Sequence, residues 1–361
     1  MTPNAASLLL LPPLLAMACD PFHCMFEEVE PAVMYEAAQL TAVPSEAAEL
    51  TVMTWNIKFG GGRIGFFWDC YDNRTVMHED EVLENLEALA EKIRLAEPDV
   101  LFTSETDVQG KRSAYVDQVQ WILDNTEFNY AAYASEWKGD IIPTDGFGRE
   151  NTGNAIFSRW PLSDATRTSL PLIEDQDAIT TYFYIKTNML RAQLDLPWRD
   201  DVSVVATHLE DADDATKGES LDLFGEEVEA LVDAGQLVIA GGDLNLVPPG
   251  TVHIVGYEDY VCDDGIFGAE DYTDELDWLG PWYETYDFAI PLDDYQADNS
   301  PHFTFTADEH GWWSRKLDYL LTNGTVVEGS GLTHQDAASG GVDTLPLSDH
   351  APLSFVVEVG S

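Results

Sequence analysis

From residue 50 onward, the chain alternates between short apolar runs and longer segments with a helical period. Leu50–Asn56 alternates apolar and polar side chains with period two, as a half-buried strand does. Val238–Asn245 starts with three apolar residues, continues into two glycines and ends in Asp243-Leu244-Asn245. Strands of these two kinds are predicted over residues 50–56, 99–105, 153–159, 189–194, 202–208, 238–245, 316–321 and 351–359.

Several segments between these strands have apolar side chains at helical spacing. Val82, Leu86, Leu89 and Ile93 share one helical face until Pro98 ends the pattern. Further helices are predicted over residues 111–125, with Tyr115, Val119 and Ile122 on one face, and over 221–232, ended by Gly235. Strands alternating with helices, without an internal repeat, indicate one α/β domain over residues 50–361.

Polar side chains stand where the predicted strands end. Asn56, Glu105, His208 and Asp243 each close a strand, and Asp349-His350 comes just before the last one. Taken singly, each has a structural explanation: a turn cap, a solvated edge carboxylate, a core histidine, turn chemistry after the glycines, or a loop pair. Together they form the kind of set that α/β folds gather at strand ends. They include oxygen ligands for a hard cation, a carboxylate that can activate water, and imidazoles that can move protons.

The N-terminal region has a different composition. Residues 5–18 are apolar but too short to span a bilayer and contain Pro12 and Pro13, so we predict a signal peptide over 1–18 and export. Ala18 before Cys19 resembles a bacterial lipobox, so either Cys19 is acylated and associates with the membrane, or the peptide is cleaved without lipidation. Residues 19–49 are acidic, alanine-rich and aperiodic, and we predict that they form a tether.

The charge limits the class of partner. The 66 acidic and 17 basic residues give a net charge of −49, spread over the whole length. Such a surface is typical of halophilic proteins in salt-rich habitats, and a cationic partner is the alternative. A stable nucleic-acid partner is not expected, because non-specific binding relies on Lys and Arg. A phosphate substrate remains compatible with this charge, since a bound metal inverts the local field.

The chain resembles the endonuclease/exonuclease/phosphatase superfamily of DNase I-like phosphoesterases. The residues that carry the resemblance occur in the family's order: Thr54-Trp55-Asn56, Ser104-Glu105, Gly153–Arg159, Thr207-His208-Leu209, Gly242-Asp243-Leu244-Asn245, Leu317-Asp318-Tyr319 and Ser348-Asp349-His350. The resemblance implies a four-layered α/β sandwich, with two mixed β-sheets face to face and helices outside. It also implies hydrolysis of a phosphoester by water with Mg²⁺ or Mn²⁺ as cofactor.

The resemblance assigns a metal set and a nucleophile set. Glu105 resembles the main metal ligand, with Asn56 and Asp349 beside it. Asp243 matches the carboxylate that orients or deprotonates the attacking water. Asn245 matches the group that holds the phosphate or the nucleophile. Because carboxylates converge there, the site requires a cation to offset its own charge.

The remaining assignments concern histidines and one asparagine. His350 matches the histidine that contacts the scissile phosphoryl oxygen, and Asp318 matches the carboxylate that orients it. His208 resembles a histidine near the leaving group in secreted nucleases and sphingomyelinases, and Glu150 is the candidate for its carboxylate partner. Asn154 matches a residue that lines the site and binds substrate in some members.

The substrate stays open at the level of sequence. A nuclease or small-phosphodiester hydrolase, a sphingomyelinase- or inositol-phosphatase-like enzyme, and a non-catalytic binding module remain the alternatives. We expect a monomer. The family fold places the loops after Asn56 and Asn245 around one mouth, so it implies that Cys70 and Cys262 can form a disulfide; two isolated thiols are the alternative.

Overall fold

The computed structural model describes most of the chain. The described residues are 20–66, 73–143, 146, 148–174, 176–209, 213–257, 271–307, 312–339 and 341–360. The predicted signal peptide, Cys19 and the proposed Cys70–Cys262 pair lie outside them. Within the described residues, no helix combines the length and the hydropathy needed to cross a membrane.

Fourteen strands form two seven-stranded mixed sheets. The first sheet has the order β1 (Val29–Pro31), β7 (Leu162–Ser169), β8 (Asn188–Leu194), β9 (Val202–His208), β10 (Leu237–Asp243), β12 (Asp318–Thr322) and β11 (Asp287–Phe288). The second has the order β13 (Leu332–Thr333), β14 (Leu353–Glu358), β3 (Glu49–Asn56), β4 (Val100–Asp107), β6 (Gly148–Ser158), β5 (Tyr130–Ile142) and β2 (Val33–Glu36). The pairs β9–β10 and β3–β4 are parallel, and the other pairs are antiparallel.

The two sheets pack face to face around the central core. Val52 and Phe102 of the second sheet and Val204 and Ile239 of the first are fully or almost fully buried in one cluster. Burying this apolar surface is the main favourable contribution to folding. The prediction of two mixed sheets is therefore confirmed.

Helices cover the outer faces and complete the four layers. The helices are α1 (Glu79–Ala96), α2 (Gln118–Asn125), α3 (Ala178–Phe183), α4 (Asp214–Asp233), α5 (Gly280–Thr285) and α6 (Leu292–Ala297). Apolar side chains of α1 and α2 pack on the second sheet, and those of α4 pack on the first. Short 3₁₀ helices occur at Lys58–Gly60 and Ser300–His302.

The start and the buried face of α2 differ from the prediction. The helix begins at Gln118, where the Asp117 side chain accepts a hydrogen bond from the Gln120 backbone N–H. Ala114 and Tyr115 have φ values of 55° and 63°, which an α-helix cannot contain. Tyr115 is 57% exposed, so it does not belong to the apolar face.

The predicted tether is wrong for residues 29–36. β1 pairs with β7 and β2 pairs with β5, so this segment adds an edge strand to each sheet. Cys24, which we had placed in the tether, is 1% exposed and is a free thiol. The strands have three and four residues with mostly exposed side chains, too few to show a period. Their pairing comes from backbone hydrogen bonds to neighbours far along the chain.

The sequence also failed to predict β5, the longest strand of the second sheet. Ala131, Ala132, Tyr133 and Ala134 are consecutive and all buried, because this part of the strand is covered on both faces. A strand buried on both sides shows no alternation. β5 matters for function because it carries Glu136, close to the histidines described below.

Candidate active site

The strand ends converge because of the register of the first sheet. Asp243 at the end of β10 is paired with His208 at the end of β9 and with Asp318 at the start of β12. Gly242 makes this close pairing feasible: its φ is 136°, and a Cβ there would lie 1.9 Å from the Thr207 carbonyl oxygen. The glycine before Asp243 therefore leaves room for a neighbouring backbone.

Asp243 is the hub of the site. Its Oδ2 accepts a hydrogen bond from Asn56 Nδ2 at 3.0 Å and lies 3.5 Å from His350 Nε2 and 3.7 Å from His208 Nε2. Its Oδ1 accepts a hydrogen bond from the Asn245 backbone N–H. Burial raises the pKa of Asp243, and the charge of His350 opposes this rise. One carboxylate oxygen thus faces both imidazoles.

His350 is held by a carboxylate on its other side. Its Nδ1 lies 2.8 Å from Asp318 Oδ2, the geometry of a charge-assisted hydrogen bond. Trp55 donates its indole N–H to the His350 carbonyl at 2.8 Å, which links the first sequence motif to the last. Burial alone would lower the pKa of His350, but the charges of Asp318 and Asp243 raise it to about 10. These two carboxylates therefore favour the cationic form of His350.

His208 also has a carboxylate near its Nδ1, at ion-pair distance, and that carboxylate is not the predicted one. Its Nδ1 lies 3.5 Å from Glu136 Oε2, so Glu136 and not Glu150 is its carboxylate. Burial lowers the pKa of His208, but the charges of Glu136, Asp243 and Glu105 outweigh burial and raise it well above its usual value. The prediction of Glu150 as the partner is wrong.

Glu150 instead belongs to a neighbouring network around Arg112. The Arg112 guanidinium donates two hydrogen bonds to Asp107, lies 3.6 Å from Glu150 Oε2 and stacks 4.0 Å from the Phe59 ring centre. All of these side chains are buried. Burial raises the pKa of Glu150 to about 8. The Arg112 guanidinium also offsets the negative charge of the nearby Glu105.

The predicted metal set surrounds Asn56. Asn56 Nδ2 donates to Glu105 Oε1 at 3.0 Å, and Asn56 Oδ1 accepts from the Lys58 backbone N–H. Lys58 Nζ lies 3.5 Å from Asp349 Oδ2. Glu105 has a φ of 52° at an irregularity in the pairing of β4 with β6, a strained conformation typical of functional sites.

The donor chemistry of this set fits a hard divalent cation. Burial raises the pKa of Glu105, and the nearby charge of Asp349 raises it further. A cation between these two carboxylates would relieve their mutual repulsion. Burial would raise the pKa of Asp349, but Lys58 and His350 keep it low, so this carboxylate stays ionised as a ligand must. As a third ligand, Asn56 would offer Oδ1, which the Lys58 amide already contacts.

A second acidic and histidine cluster lies beside this set. Ligand atoms of Asp243, Asp318 and His350 lie within 4.8 Å of one another, the one such group among the described residues. Its His350–Asp318 contact is already a short hydrogen bond, which a metal between the two groups would have to replace. The residues on the Glu105 side therefore fit a hard cation better than this cluster does.

The two remaining predicted residues take different positions. Asn245 has a φ of 51° and donates its Nδ2 to the Leu209 carbonyl at 2.9 Å, so it lies directly beside the Asp243 hub. Asn154 is fully buried and donates to Asn188 of the facing sheet. Its Oδ1 has no hydrogen-bond partner among the described residues. Asn154 thus contacts β8, which pairs with β9, and among the described residues it makes no hydrogen bond to Asp243 or Glu105.

Sequence reasoning missed Glu136 and Lys58. Glu136 lies in a strand that has no periodic signal, so nothing in the sequence pointed to it. Lys58 follows Asn56 by two residues in a protein with few basic residues, and this scarcity was a usable signal. Its buried ammonium is a cation in the site itself.

A family model and several solved structures match this chain. The Endonuclease/Exonuclease/phosphatase family model matches residues 53–350. A solved endonuclease/exonuclease/phosphatase from Beutenbergia cavernae DSM 12333 is 20% identical, with a TM-score of 0.58 over 87% of this chain and 72% of that chain. A family protein from Leptotrichia buccalis C-1013-b is 14% identical, with a TM-score of 0.53 over 86% of this chain and 99% of that chain.

A third solved structure, the endonuclease/exonuclease/phosphatase from Bacteroides vulgatus, is 13% identical, with a TM-score of 0.53 over 86% of this chain and 99% of that chain. At these identities the structures show a common fold. A search of curated proteins found no match. The match of the family model over most of the sequence shows that the chain belongs to the endonuclease/exonuclease/phosphatase family, whose members are phosphoesterase hydrolases.

Proposed function

We propose that this chain hydrolyses a phosphoester by direct attack of water, with Mg²⁺ or Mn²⁺ as its cofactor. One observation carries the proposal: Oδ2 of Asp243 faces Nε2 of both His208 and His350, and each imidazole has a second carboxylate at Nδ1. This arrangement supplies one base and two cationic acids around a single point.

Each residue has a definite role in this reaction. Asp243 orients the water and takes its proton, and Asn245 helps to hold the nucleophile or the phosphate. His350, positioned by Asp318, donates a hydrogen bond to a phosphoryl oxygen as negative charge develops. His208, positioned by Glu136, supplies a proton to the leaving alcohol. The raised pKa values of both histidines favour the protonated forms that these roles require.

The metal belongs to the opposite side of the hub. Glu105 and Asp349 would hold it, with Asn56 beside them, and it would supply Lewis-acid polarisation of the phosphoryl group. Lys58 balances the charge of Asp349 from its other side. A non-catalytic binding module would not require a water-activating carboxylate between two histidines, so the complete set favours an enzyme.

The cellular setting is part of the same proposal. Export through residues 1–18, with or without a lipid at Cys19, would place a monomer at the cell envelope or outside it. The net charge of −49 favours small phosphodiesters over long nucleic acids as substrates. A lipid-headgroup phosphoester is the second candidate, because acylation of Cys19 would hold the enzyme at a bilayer.

The test is hydrolysis of bis-p-nitrophenyl phosphate and p-nitrophenyl phosphate with Mg²⁺, with Mn²⁺ and with EDTA. Asp243→Asn and His350→Ala should each lower kcat by on the order of 10²–10⁴-fold with unchanged melting, because both groups act in the transition state. Asp222→Asn on the exposed face of α4 is the matched control. Activity that survives both substitutions, or that EDTA does not affect, would exclude this assignment.

A further inference from the structure

A cavity of about 790 Å³ lies beyond the same strand ends as the catalytic groups. Its walls come from residues 252–257, 296–303 and 312–314 and from Gln335. The first segment follows Asn245, and the third precedes Asp318 by a few residues. Gln335 follows β13, which pairs with the start of β14, just after His350. Its volume is within the range of small-molecule sites.

A layer of aromatic side chains connects this cavity to the catalytic histidine. The Phe305 ring centre lies 4.8 Å from that of His350. The Arg315 guanidinium stacks against Phe305 at 4.6 Å and against Tyr257 at 4.1 Å. Tyr257 is itself part of the cavity wall. The side chains of Phe305, Arg315 and Tyr257 therefore lie between His350 and a ligand in the cavity.

The aromatic part of the wall is accessible. Trp312 is 66% exposed and lies beside Trp313 and Phe303 in the wall. Water-exposed indole surface is unfavourable unless a ligand covers it, and a planar aromatic face suits a flat, weakly polar partner. Trp313 is fixed in place, since its indole N–H faces the Gln335 carbonyl at 3.4 Å and its ring packs on Arg63.

The polar part of the wall presents acceptors. The side-chain NH₂ groups of Gln296, Asn299 and Gln335 all donate to backbone carbonyls, at 3.1, 2.7 and 2.9 Å. Among the described residues, none donates to the side-chain oxygens of Gln296 or Gln335. Among the described residues, the ionisable side chains of the lining are Asp298 and His253, and none is lysine or arginine. A suitable ligand is therefore uncharged and brings its own hydrogen-bond donors.

We infer that this cavity binds a neutral, hydroxyl-rich ring, a sugar, in a part of the substrate remote from the scissile bond; this inference rests on the proposed phosphoesterase function. The C–H face of a sugar ring can stack on Trp312, while its hydroxyls donate to the oxygens of Gln296 and Gln335. An acyl chain would offer those oxygens no hydrogen-bond donor, whereas sugar hydroxyls would. A second phosphate would find no lysine or arginine in the lining.

A binding experiment tests the inference without hydrolysis. The uncharged methyl glycosides of glucose, mannose and galactose are titrated into the full chain, with tryptophan fluorescence as the readout and adenosine as the competing ligand class. We expect at least one glycoside to bind with millimolar Kd. Trp312→Ala and Gln296→Leu should each weaken that binding at least tenfold, and Trp312→Phe should stay within about threefold. Ile179→Ala, which removes an exposed apolar side chain on α3, is the control.

Kinetics separate this inference from the proposed function. For a hexose phosphodiester, Trp312→Ala should raise KM about tenfold, and for bis-p-nitrophenyl phosphate it should leave kcat/KM within twofold. Binding of adenosine in place of every glycoside would overturn the sugar assignment, as would glycoside binding that Trp312→Ala does not weaken. Hydrolysis of the generic diester without glycoside binding overturns the sugar site alone, whereas glycoside binding without any metal-dependent hydrolysis overturns the proposed function alone.

Discussion

Glu136 reaches His208 from the facing sheet and brings its Oε2 to 3.5 Å from the histidine Nδ1. His350 likewise has a carboxylate, Asp318, beside its Nδ1, although these two residues come from other segments of the chain. Two histidines that share Asp243 are thus each backed by a carboxylate. One pair joins Asp318 of the first sheet to His350 in the loop before β14 of the second sheet, and the other joins Glu136 of the second sheet to His208 of the first.

Replacing Glu136 should therefore impair the leaving-group histidine. Glu136→Gln keeps the shape but removes the charge that holds His208 protonated, so we expect kcat to fall on the order of 10–100-fold. Glu150→Gln, the equivalent change at a buried carboxylate that contacts Arg112, is the control and should retain most activity in protein that remains folded. Steady-state kinetics with thermal melting of both variants measures this. A larger loss in Glu150→Gln would restore Glu150 as the partner.

The backbone packing around Gly242 predicts a stability effect. A Cβ at this position would overlap the Thr207 carbonyl oxygen, and the φ of 136° adds strain, so Gly242→Ala should destabilise the protein by about 3–4 kcal/mol. Gly235 has a φ of 82° with no atom near its Cβ position, so Gly235→Ala should cost only about 1 kcal/mol. Urea denaturation of both variants separates the overlap from the strain. An equal loss of unfolding free energy in the two variants would show that the backbone around Gly242 shifts to remove the overlap.

A buried Lys92–His334 contact predicts acid sensitivity. Lys92 Nζ lies 2.9 Å from His334 Nδ1, and Ser354 Oγ lies 2.7 Å from the histidine Nε2. Burial and the Lys92 charge lower the pKa of His334 to about 3 from the usual 6.5. Between these values the unfolded chain binds a proton that the folded chain does not, so stability falls as pH falls from about 6.5 towards about 3.

His334→Gln should remove that contribution, because glutamine can accept from Lys92 and donate to Ser354 without titrating. Between pH 7 and pH 4 we expect the wild-type chain to lose about 2–3 kcal/mol more than His334→Gln. Urea denaturation across this range, by circular dichroism, gives both slopes. Parallel curves would mean that His334 does not contribute to acid unfolding.

The distributed negative charge predicts stabilisation by salt. With a net charge of −49, screening should relieve self-repulsion, so Tm should rise from low to molar KCl. The measurement is a melting series in KCl, with sucrose as the control, because sucrose stabilises by exclusion from the surface without screening charge. A flat or falling Tm in KCl would contradict the halophilic interpretation.

Residue patterns along the chain were enough to predict the strands that carry a local signal and the residues at their ends. The pattern predicted the bounds of four strands to within one or two residues: β3, β4, β9 and β10. Each of these strands is a run of apolar residues that ends at or just beyond a polar site residue, namely Asn56, Glu105, His208 or Asp243. The helical spacing of apolar residues likewise predicted α1 and α4. Local propensity and period are properties of neighbours in the chain, and the sequence displays them directly.

Which carboxylate lies beside which histidine depends on how the two sheets pack and could not be predicted from the residue pattern. Glu136 is far in sequence from His208 and lies on a strand without alternation, so no spacing rule connects the two. The edge strands β1 and β2 likewise exist because distant partners supply their backbone hydrogen bonds. Pairing across sheets depends on register and on the packing of the two layers, and a residue type in the sequence carries no information about its distance from another layer.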